Sequence, residues 1–250
     1  MDVRLLGSGG WIPSDERETS CVLLRSGSHA LTFDAGSGLR RLVSEPALLE
    51  GVDELSIVLT HFHLDHTIGL LYSPAFKGLR RREVWAPGRL VAGIPAEEVV
   101  HRLLDPPFIA GEPAQVTDEF LTGIHELGAE AEIGPFRIET RVQPLHVGPT
   151  LALKLDGRLA YCTDTAYDEE NVDFVRGTEA LLHEAFLPGD TTDDRTHSTA
   201  GEAARIAAAA DVGRLVLVHV NPRDADEPAL LSAARARFPS TEVGRDGMSV

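Results

Sequence analysis

The segment from His61 to His66 carries four metal-binding side chains within six residues and reads His-Phe-His-Leu-Asp-His. Residues two apart on an extended segment share a face, so His61 and His63 can hold one ion, and a turn into a helix can direct Asp65 and His66 at a second. A solvated histidine-rich turn is the alternative. Four such groups directly after an apolar strand favour metal binding, and imidazole with carboxylate suits zinc, with manganese or iron also compatible.

Three further candidate ligands, His146, Asp164 and His219, each follow a short apolar run. Taken alone, each could equally be a hydrogen-bonded core or loop residue. Sites in α/β proteins form where strands end, however, and the shared position of these three residues favours a common site. We therefore expect two divalent metal ions, with ligands drawn from His61, His63, Asp65, His66, His146, Asp164 and His219.

The elements that must position these residues alternate between strands and helices. The nearly continuous apolar run Leu55 to Thr60 is typical of a strand buried on both faces, and it leads directly into His61. Thr199-Ala200-Gly201-Glu202 fits a capping box, so Thr199 should begin a helix that Gly213 ends. Further strands are predicted at Val3 to Leu6, Cys21 to Leu24, Ala30 to Phe33, Val84 to Ala86, Phe136 to Val142, Leu151 to Leu155, Leu159 to Cys162, Leu181 to Leu182 and Leu215 to Val218.

Two segments are less regular. Pro95 to Leu127 is predicted to be variable and partly helical, without chemistry, and Pro228 to Phe238 is predicted to be the last long helix. With 250 residues, 43 % of them hydrophobic and only 6 % aromatic, the chain has the composition of a layered α/β domain. We expect one domain over 1–250, with two similar halves at approximately 1–130 and 131–250.

Charge and cysteine content narrow the classes of partner. The 23 Lys and Arg against 39 Asp and Glu give a net charge of −16, which disfavours extended nucleic-acid binding. Two cysteines without a CxxC pair fit a reducing compartment, and neither a leader nor a long apolar run is evident. We expect a cytoplasmic protein with no membrane partner, and a homodimer is compatible.

The spacing His-x-His-x-Asp-His, followed by separate His, Asp and His residues, resembles the metallo-β-lactamase superfamily and its ribonuclease Z-like branch. Other segments are similar to motifs of that branch: Leu6 to Gly10 with Ile12-Pro13 and Arg17 to Ser20, then Phe33 to Gly36, His183 to Ala185 and His197 to Thr199. The resemblance implies an αβ/βα four-layer sandwich. It also implies His61, His63 and His146 on one metal, Asp65, His66 and His219 on the other, and Asp164 bridging both.

Two ions about 3.5–4 Å apart can hold a hydroxide between them and clamp the oxygens of a phosphodiester. Asp65 is expected to orient or deprotonate that water while remaining a ligand. His197 is the candidate proton donor to the leaving group, with Glu184 holding its ring, and a structural role at the helix entry is its alternative. Asp34 is expected behind the ligand loop as a supporting residue. The role of His183 is left open between catalysis and a buried hydrogen bond.

The leading prediction is a phosphodiesterase acting on a small or cyclic diester. The alternative is a transfer-RNA 3′-processing endoribonuclease, that is, ribonuclease Z. By the resemblance, bacterial ribonuclease Z carries an RNA-gripping arm between the lone histidine and the bridging aspartate, and only 18 positions separate His146 from Asp164 here. Ser37 also stands where that family usually has Glu, and the closing segment Glu242 to Met248 looks similar to that of arm-less cyclic phosphodiesterases.

Two other hypotheses about the function are considered. Lactone, ester or thioester hydrolysis on the same site is one, because the metals do not select a substrate class. A non-catalytic scaffold is the other, but it predicts damaged ligands, and all seven are intact. The basic cluster, defined as Lys77 to Arg82, is expected to be a solvated loop rather than a phosphate site.

Overall fold

The computed structural model describes residues 2–107, 109, 119–223 and 226–250. Part of the variable segment Pro95 to Leu127 therefore lies outside the described residues. Among the described residues, no helix is both long enough and apolar enough to cross a membrane.

The first half forms a mixed sheet of six strands in chain order. β1 pairs antiparallel with β2, and β2 pairs antiparallel with β3, whereas β3 to β6 run parallel. Parallel strands need crossovers, and short helices between these strands supply them. The strands are β1 (Asp2–Gly7), β2 (Cys21–Ser26), β3 (His29–Phe33), β4 (Glu54–Val58), β5 (Arg81–Ala86) and β6 (Gly123–Glu126).

The second half forms a sheet of seven strands in reversed spatial order, from β13 to β7. β7 to β10 form an antiparallel meander, and β10 to β13 run parallel. The strands are β7 (Glu130–Ile133), β8 (Phe136–Gln143), β9 (Thr150–Leu155), β10 (Leu159–Cys162), β11 (Ala180–Glu184), β12 (Leu215–Val218) and β13 (Thr241–Val243).

Helices cover the outer face of each sheet. The α-helices of the described part are α1 (Arg41–Ser44), α2 (Leu64–Thr67), α3 (Ala96–Leu104), α4 (Asn171–Val175), α5 (Ala200–Ala209) and α6 (Glu227–Arg235). Short 3₁₀ segments at Ser37–Arg40, Pro46–Leu49 and Ile68–Phe76 and a π-helical turn at Gly88–Ala92 complete the first half.

The buried apolar residues form three clusters that separate four layers. One cluster lies between the two sheets, where Phe33 stacks on Tyr161 with ring centroids 5.8 Å apart. The other two lie between each sheet and its helices. The αβ/βα four-layer sandwich is therefore confirmed, since each sheet buries one face against the other sheet and one face against helices.

All predicted strands are present, and the strands that were not predicted have a local cause. β6 lies inside the segment predicted to be variable, and β7 and β13 were not predicted; all three are strands of only three or four residues that give little apolar signal. The expectation that Gly213 ends the helix begun at Thr199 is wrong. The helix ends at Ala209, and Ala210 to Gly213 form a turn into β12.

The capping box at the start of α5 is confirmed. The Thr199 hydroxyl accepts a hydrogen bond from the Glu202 amide at 3.2 Å, and the Glu202 carboxylate accepts one from the Thr199 amide at 3.0 Å. We expect Thr199→Ala to lower the free energy of unfolding by about 1 kcal/mol, because a helix amide loses its acceptor. Thr199→Ser should retain most of the wild-type free energy of unfolding, because its hydroxyl can still accept that hydrogen bond. Urea unfolding of both variants checks this, and equal losses in the two would contradict the capping role.

Candidate metal centre

The seven candidate ligands come together because both sheets present strand ends to one edge of the sandwich. The His61–His66 segment follows β4, Asp164 follows β10, and His219 follows β12, each at the carboxyl end of a parallel strand. His146 lies in the loop between β8 and β9. Convergence of these ends is the usual way in which an α/β fold builds a site.

The ligand atoms divide into two groups. In each group, the atoms lie within 4.8 Å of one another. The first contains His61, His63, His146 and Asp164, and the second contains Asp65, His66 and His219. This division matches the pairing that the family resemblance implies.

Asp164 lies between the groups with one carboxylate oxygen toward each. Its Oδ1 is 3.5 Å from His146 Nε2, whereas Oδ2 is 3.0 Å from His66 Nε2 and 3.3 Å from His219 Nε2. The residue is 2 % exposed and has a left-handed backbone, with φ 52°. Such strain is tolerated mainly where the surrounding structure needs one side-chain direction. The position suits a bridging ligand.

The donor chemistry of the centre fits divalent cations. His61 Nε2 is buried without a hydrogen-bond partner, and its Nδ1 lies 3.0 Å from the Thr60 hydroxyl. His146 Nδ1 lies 2.7 Å from the Thr196 carbonyl, which leaves Nε2 to face the centre. A buried nitrogen lone pair without a partner costs free energy, and a cation would satisfy it. The residues therefore fit the metal ions that the fold family implies.

Electrostatics in the centre favour bound positive charge. Burial raises the pKa of Asp164, but His219 and His66 hold it well below its usual range. Burial likewise raises the pKa of Asp65, but His66 and His219 lower it by a larger amount, so this carboxyl is ionised. Burial, together with His66, lowers the pKa of His61 well below its ordinary value, so this ring is neutral and its lone pair is available.

Asp34 supports the ligand loop from behind, as expected. Its carboxylate lies 2.8 Å from His66 Nδ1 and accepts hydrogen bonds from the Thr60 amide at 2.8 Å and the Tyr161 hydroxyl at 3.1 Å. These bonds leave His66 Nε2 directed at the centre. Tyr161 was not predicted, because a single tyrosine in an apolar strand gives no sequence signal.

Asp34→Asn should weaken metal affinity by about 10- to 100-fold, the usual loss when a group that orients a ligand is changed. The amide cannot accept from all of these donors at once, so His66 loses its fixed orientation. Tyr161→Phe removes one donor and is expected to do less. Competition with a chromogenic chelator measures both affinities, and wild-type affinity in Asp34→Asn would contradict this role.

His197 lies next to the centre in the arrangement that the sequence predicted. Its Nδ1 is 3.0 Å from Glu184 Oε2, and Glu184 is fully buried at the end of β11. Burial alone would lower the pKa of His197, but the Glu184 carboxylate raises it to about 9. The ring also stacks on Phe186 with centroids 4.3 Å apart. Ligand atoms of His197, Asp164 and His219 also lie within 4.8 Å of one another, a third grouping that the sequence did not predict.

Other residues singled out from the sequence lie elsewhere. His183 is buried, and its Nδ1 lies 2.9 Å from the Glu184 carbonyl, which is the structural alternative. The basic cluster lies toward the amino-terminal end of β5, whereas the ligands follow the carboxyl end of its parallel neighbour β4. Arg80 pairs with Glu54, and Lys77 lies 3.8 Å from Glu119. This cluster is thus not positioned to reach the centre.

Comparison with known proteins identifies the family. The model of the beta-lactamase superfamily domain matches residues 29–220. Ribonuclease Z of Nostoc sp. (strain PCC 7120) is 30 % identical over 306 aligned positions, covering 100 % of this chain and 94 % of the relative.

Among solved structures, the metallo-beta-lactamase fold protein YhfI from Bacillus subtilis aligns with a TM-score of 0.79 and 22 % identity, covering 100 % of this chain and 98 % of that protein. The short form of human tRNase Z and a diphosphatase of the PhnP family both align with a TM-score of 0.71, at 22 % and 19 % identity, over 100 % of this chain and 98 % and 96 % of theirs. At these sequence identities, the solved structures show the fold alone. With the family model and the curated relative, they show that this chain belongs to the metallo-β-lactamase superfamily, in its ribonuclease Z-like branch, and is a metal-dependent hydrolase.

Proposed function

We propose that the chain hydrolyses phosphodiesters at a centre of two divalent metal ions. The observation that carries the proposal is the His197–Glu184 pair, 3.0 Å apart and packed against the candidate metal centre. Hydrolysis of an alkyl phosphodiester needs a proton on the leaving oxygen, and a histidine oriented by a buried carboxylate can supply it. Activated esters and thioesters have little need of such a donor.

Each part of the centre has a distinct role in this proposal. When bound, divalent ions supply an activated nucleophile and neutralise charge on the phosphoryl oxygens. Asp164 holds the two halves of the centre together, and Asp65 orients the nucleophile. His197 donates its proton to the departing oxygen. Glu184 keeps the ring turned so that Nε2 is free for that transfer.

The comparisons favour the ribonuclease over the small-diester phosphodiesterase that the sequence predicted first. The curated relative from Nostoc is a ribonuclease Z, and it aligns along nearly its whole length. Transfer-RNA 3′ processing is therefore the first substrate candidate. The ribonuclease Z relative also supports phosphodiester chemistry over lactone, ester or thioester hydrolysis, which stay as further candidates.

One structural observation favours a small diester as the second candidate. The Nostoc alignment has 306 positions and this chain 250 residues, so at least 56 aligned positions have no counterpart here. Between His146 and Asp164, the described chain holds only β9, β10 and their turns. A net charge of −16 gives little general attraction for an RNA backbone.

A parallel measurement of kcat/KM separates the two candidates. The zinc-loaded protein is given a precursor transfer RNA and a cyclic nucleotide, each at two salt concentrations. The ribonuclease candidate predicts site-specific 3′ cleavage that falls steeply with salt, because phosphate contacts release counterions. Preferred turnover of the cyclic nucleotide, with weak salt dependence, would overturn it in favour of the small diester.

A further inference from the structure

Exposed apolar side chains gather around the candidate metal centre. Seven large hydrophobic side chains are exposed in the described part of the chain. Three of them adjoin or contact candidate ligands: Trp11 is 51 % exposed, Leu64 65 % and Val147 69 %. Apolar groups that stay exposed beside a polar site mark a surface that contacts a ligand.

The backbone of Trp11 is fixed against the centre. Its amide donates a hydrogen bond to Asp65 Oδ2 at 2.8 Å, and its φ is 66°, in the left-handed region that bulky residues rarely adopt. Gly10 packs so closely on His219 that an added Cβ would lie 2.3 Å from the ring. The backbone of this loop therefore holds Trp11 beside the ligands, with its side chain largely exposed, and such strain is typical of functional sites.

Arg223 makes this surface suitable for a planar ring. Its guanidinium carbon lies 5.7 Å from the centroid of the Trp11 ring, within the range of a cation–π contact. An exposed indole with a guanidinium nearby stacks flat π systems and does so without reading a base sequence. An alkyl substituent would gain nothing from the guanidinium. The aromatic group that phosphodiesters of the proposed class carry is a nucleobase.

We propose that Trp11 is the stacking surface for a nucleobase of the substrate and thereby places the attached phosphate at the candidate metal centre. The inference rests on the proposed function and narrows its substrate class to nucleotide diesters. It is compatible with a precursor transfer RNA and, among small diesters, with a cyclic nucleotide, since both carry a base next to the bond that breaks. Trp11 is thus a specificity-determining residue rather than a proton donor or a ligand.

Equilibrium binding tests the inference independently of turnover. Calorimetry measures the dissociation constants of adenosine 5′-monophosphate and ribose 5-phosphate, which share the phosphate and differ in the base, on the zinc-loaded protein. Stacking on a protein aromatic ring should tighten binding of the nucleotide by about 5- to 150-fold. Equal dissociation constants for the two ligands would overturn the inference.

Three variants test whether the preference for the nucleotide depends on the Trp11 ring. Trp11→Ala should lose the preference for the nucleotide and bind ribose 5-phosphate as the wild type does. Trp11→Phe should keep most of the preference, and Val43→Ala, a change at an exposed apolar residue on α1, should keep all of it. Metal content of each variant shows that the centre is intact. An unchanged preference in Trp11→Ala would contradict the role of this ring.

The same samples separate this inference from the proposed function. Turnover of methyl 4-nitrophenyl phosphate, which has no base, tests diester hydrolysis. If that diester is hydrolysed while both ligands bind equally, the stacking inference fails alone. If the base preference depends on Trp11 but no diester is hydrolysed, the proposed function fails, and Trp11 remains a base-binding residue without the assigned chemistry.

Discussion

Asp164→Asn is expected to remove bound metal and hydrolytic activity together. Asp164 faces both ligand groups, with Oδ1 toward His146 and Oδ2 toward His66 and His219. An amide offers one neutral oxygen and an NH₂ group that cannot coordinate a cation, so it cannot serve two cations. Metal content should fall from two ions per chain to at most one, and kcat/KM by more than about 100-fold, since changing a supporting group alone costs 10- to 100-fold.

Metal analysis after reloading with zinc or manganese checks this expectation, alongside turnover. Asp173→Asn is a matched control, because Asp173 is exposed and pairs with Arg176 away from the candidate ligands. It should bind metal as the wild type does. Full occupancy and normal rates in Asp164→Asn would remove Asp164 from the centre.

His197→Ala should lower kcat by about 10²–10⁴-fold while leaving the metal content unchanged, the range that general acid catalysis contributes. The His197 ring lies close to the candidate ligands, with its centroid 4.8 Å from that of His146. Neither of the two ligand groups includes it. Its partner Glu184 fixes the ring, so Glu184→Gln is also expected to lower kcat, but by less than His197→Ala does.

The leaving group shows whether His197 acts as an acid. A 4-nitrophenolate departs without needing a proton, so nitrophenyl diesters should lose less activity in His197→Ala than alkyl diesters do. A structural defect would lower both rates equally. Equal losses would therefore argue against proton donation, and a loss of metal would make His197 a ligand.

The signals by which the sequence predicts the candidate centre are local. Strands of alternating or continuous apolar residues end shortly before His61, Asp164 and His219. The apolar pattern therefore predicts the strand, and the residue type that follows it predicts the ligand. The capping box at Thr199 is likewise complete within four residues. Such features need no knowledge of distant parts of the chain.

The rest depends on contacts between residues far apart in the chain. Tyr161 reaches Asp34 across 127 positions, and Trp11 reaches Asp65 across 54. Neither contact follows from periodicity, and β6 carries too few buried side chains to stand out as a strand. The choice of substrate is harder still, because the same metal chemistry serves many esters, and selection lies in surface loops around the centre.

Turnover of a simple phosphodiester by metal-stripped and reloaded protein tests whether the chain is a metal-dependent phosphodiesterase. Bis(4-nitrophenyl) phosphate is assayed beside a lactone and a thioester, with Asp164→Asn as the metal-deficient control. We expect two ions per chain to restore hydrolysis of the diester and neither the lactone nor the thioester to be a better substrate. Asp164→Asn should stay inactive. A fully loaded protein that hydrolyses the lactone or thioester but not the diester would contradict this expectation.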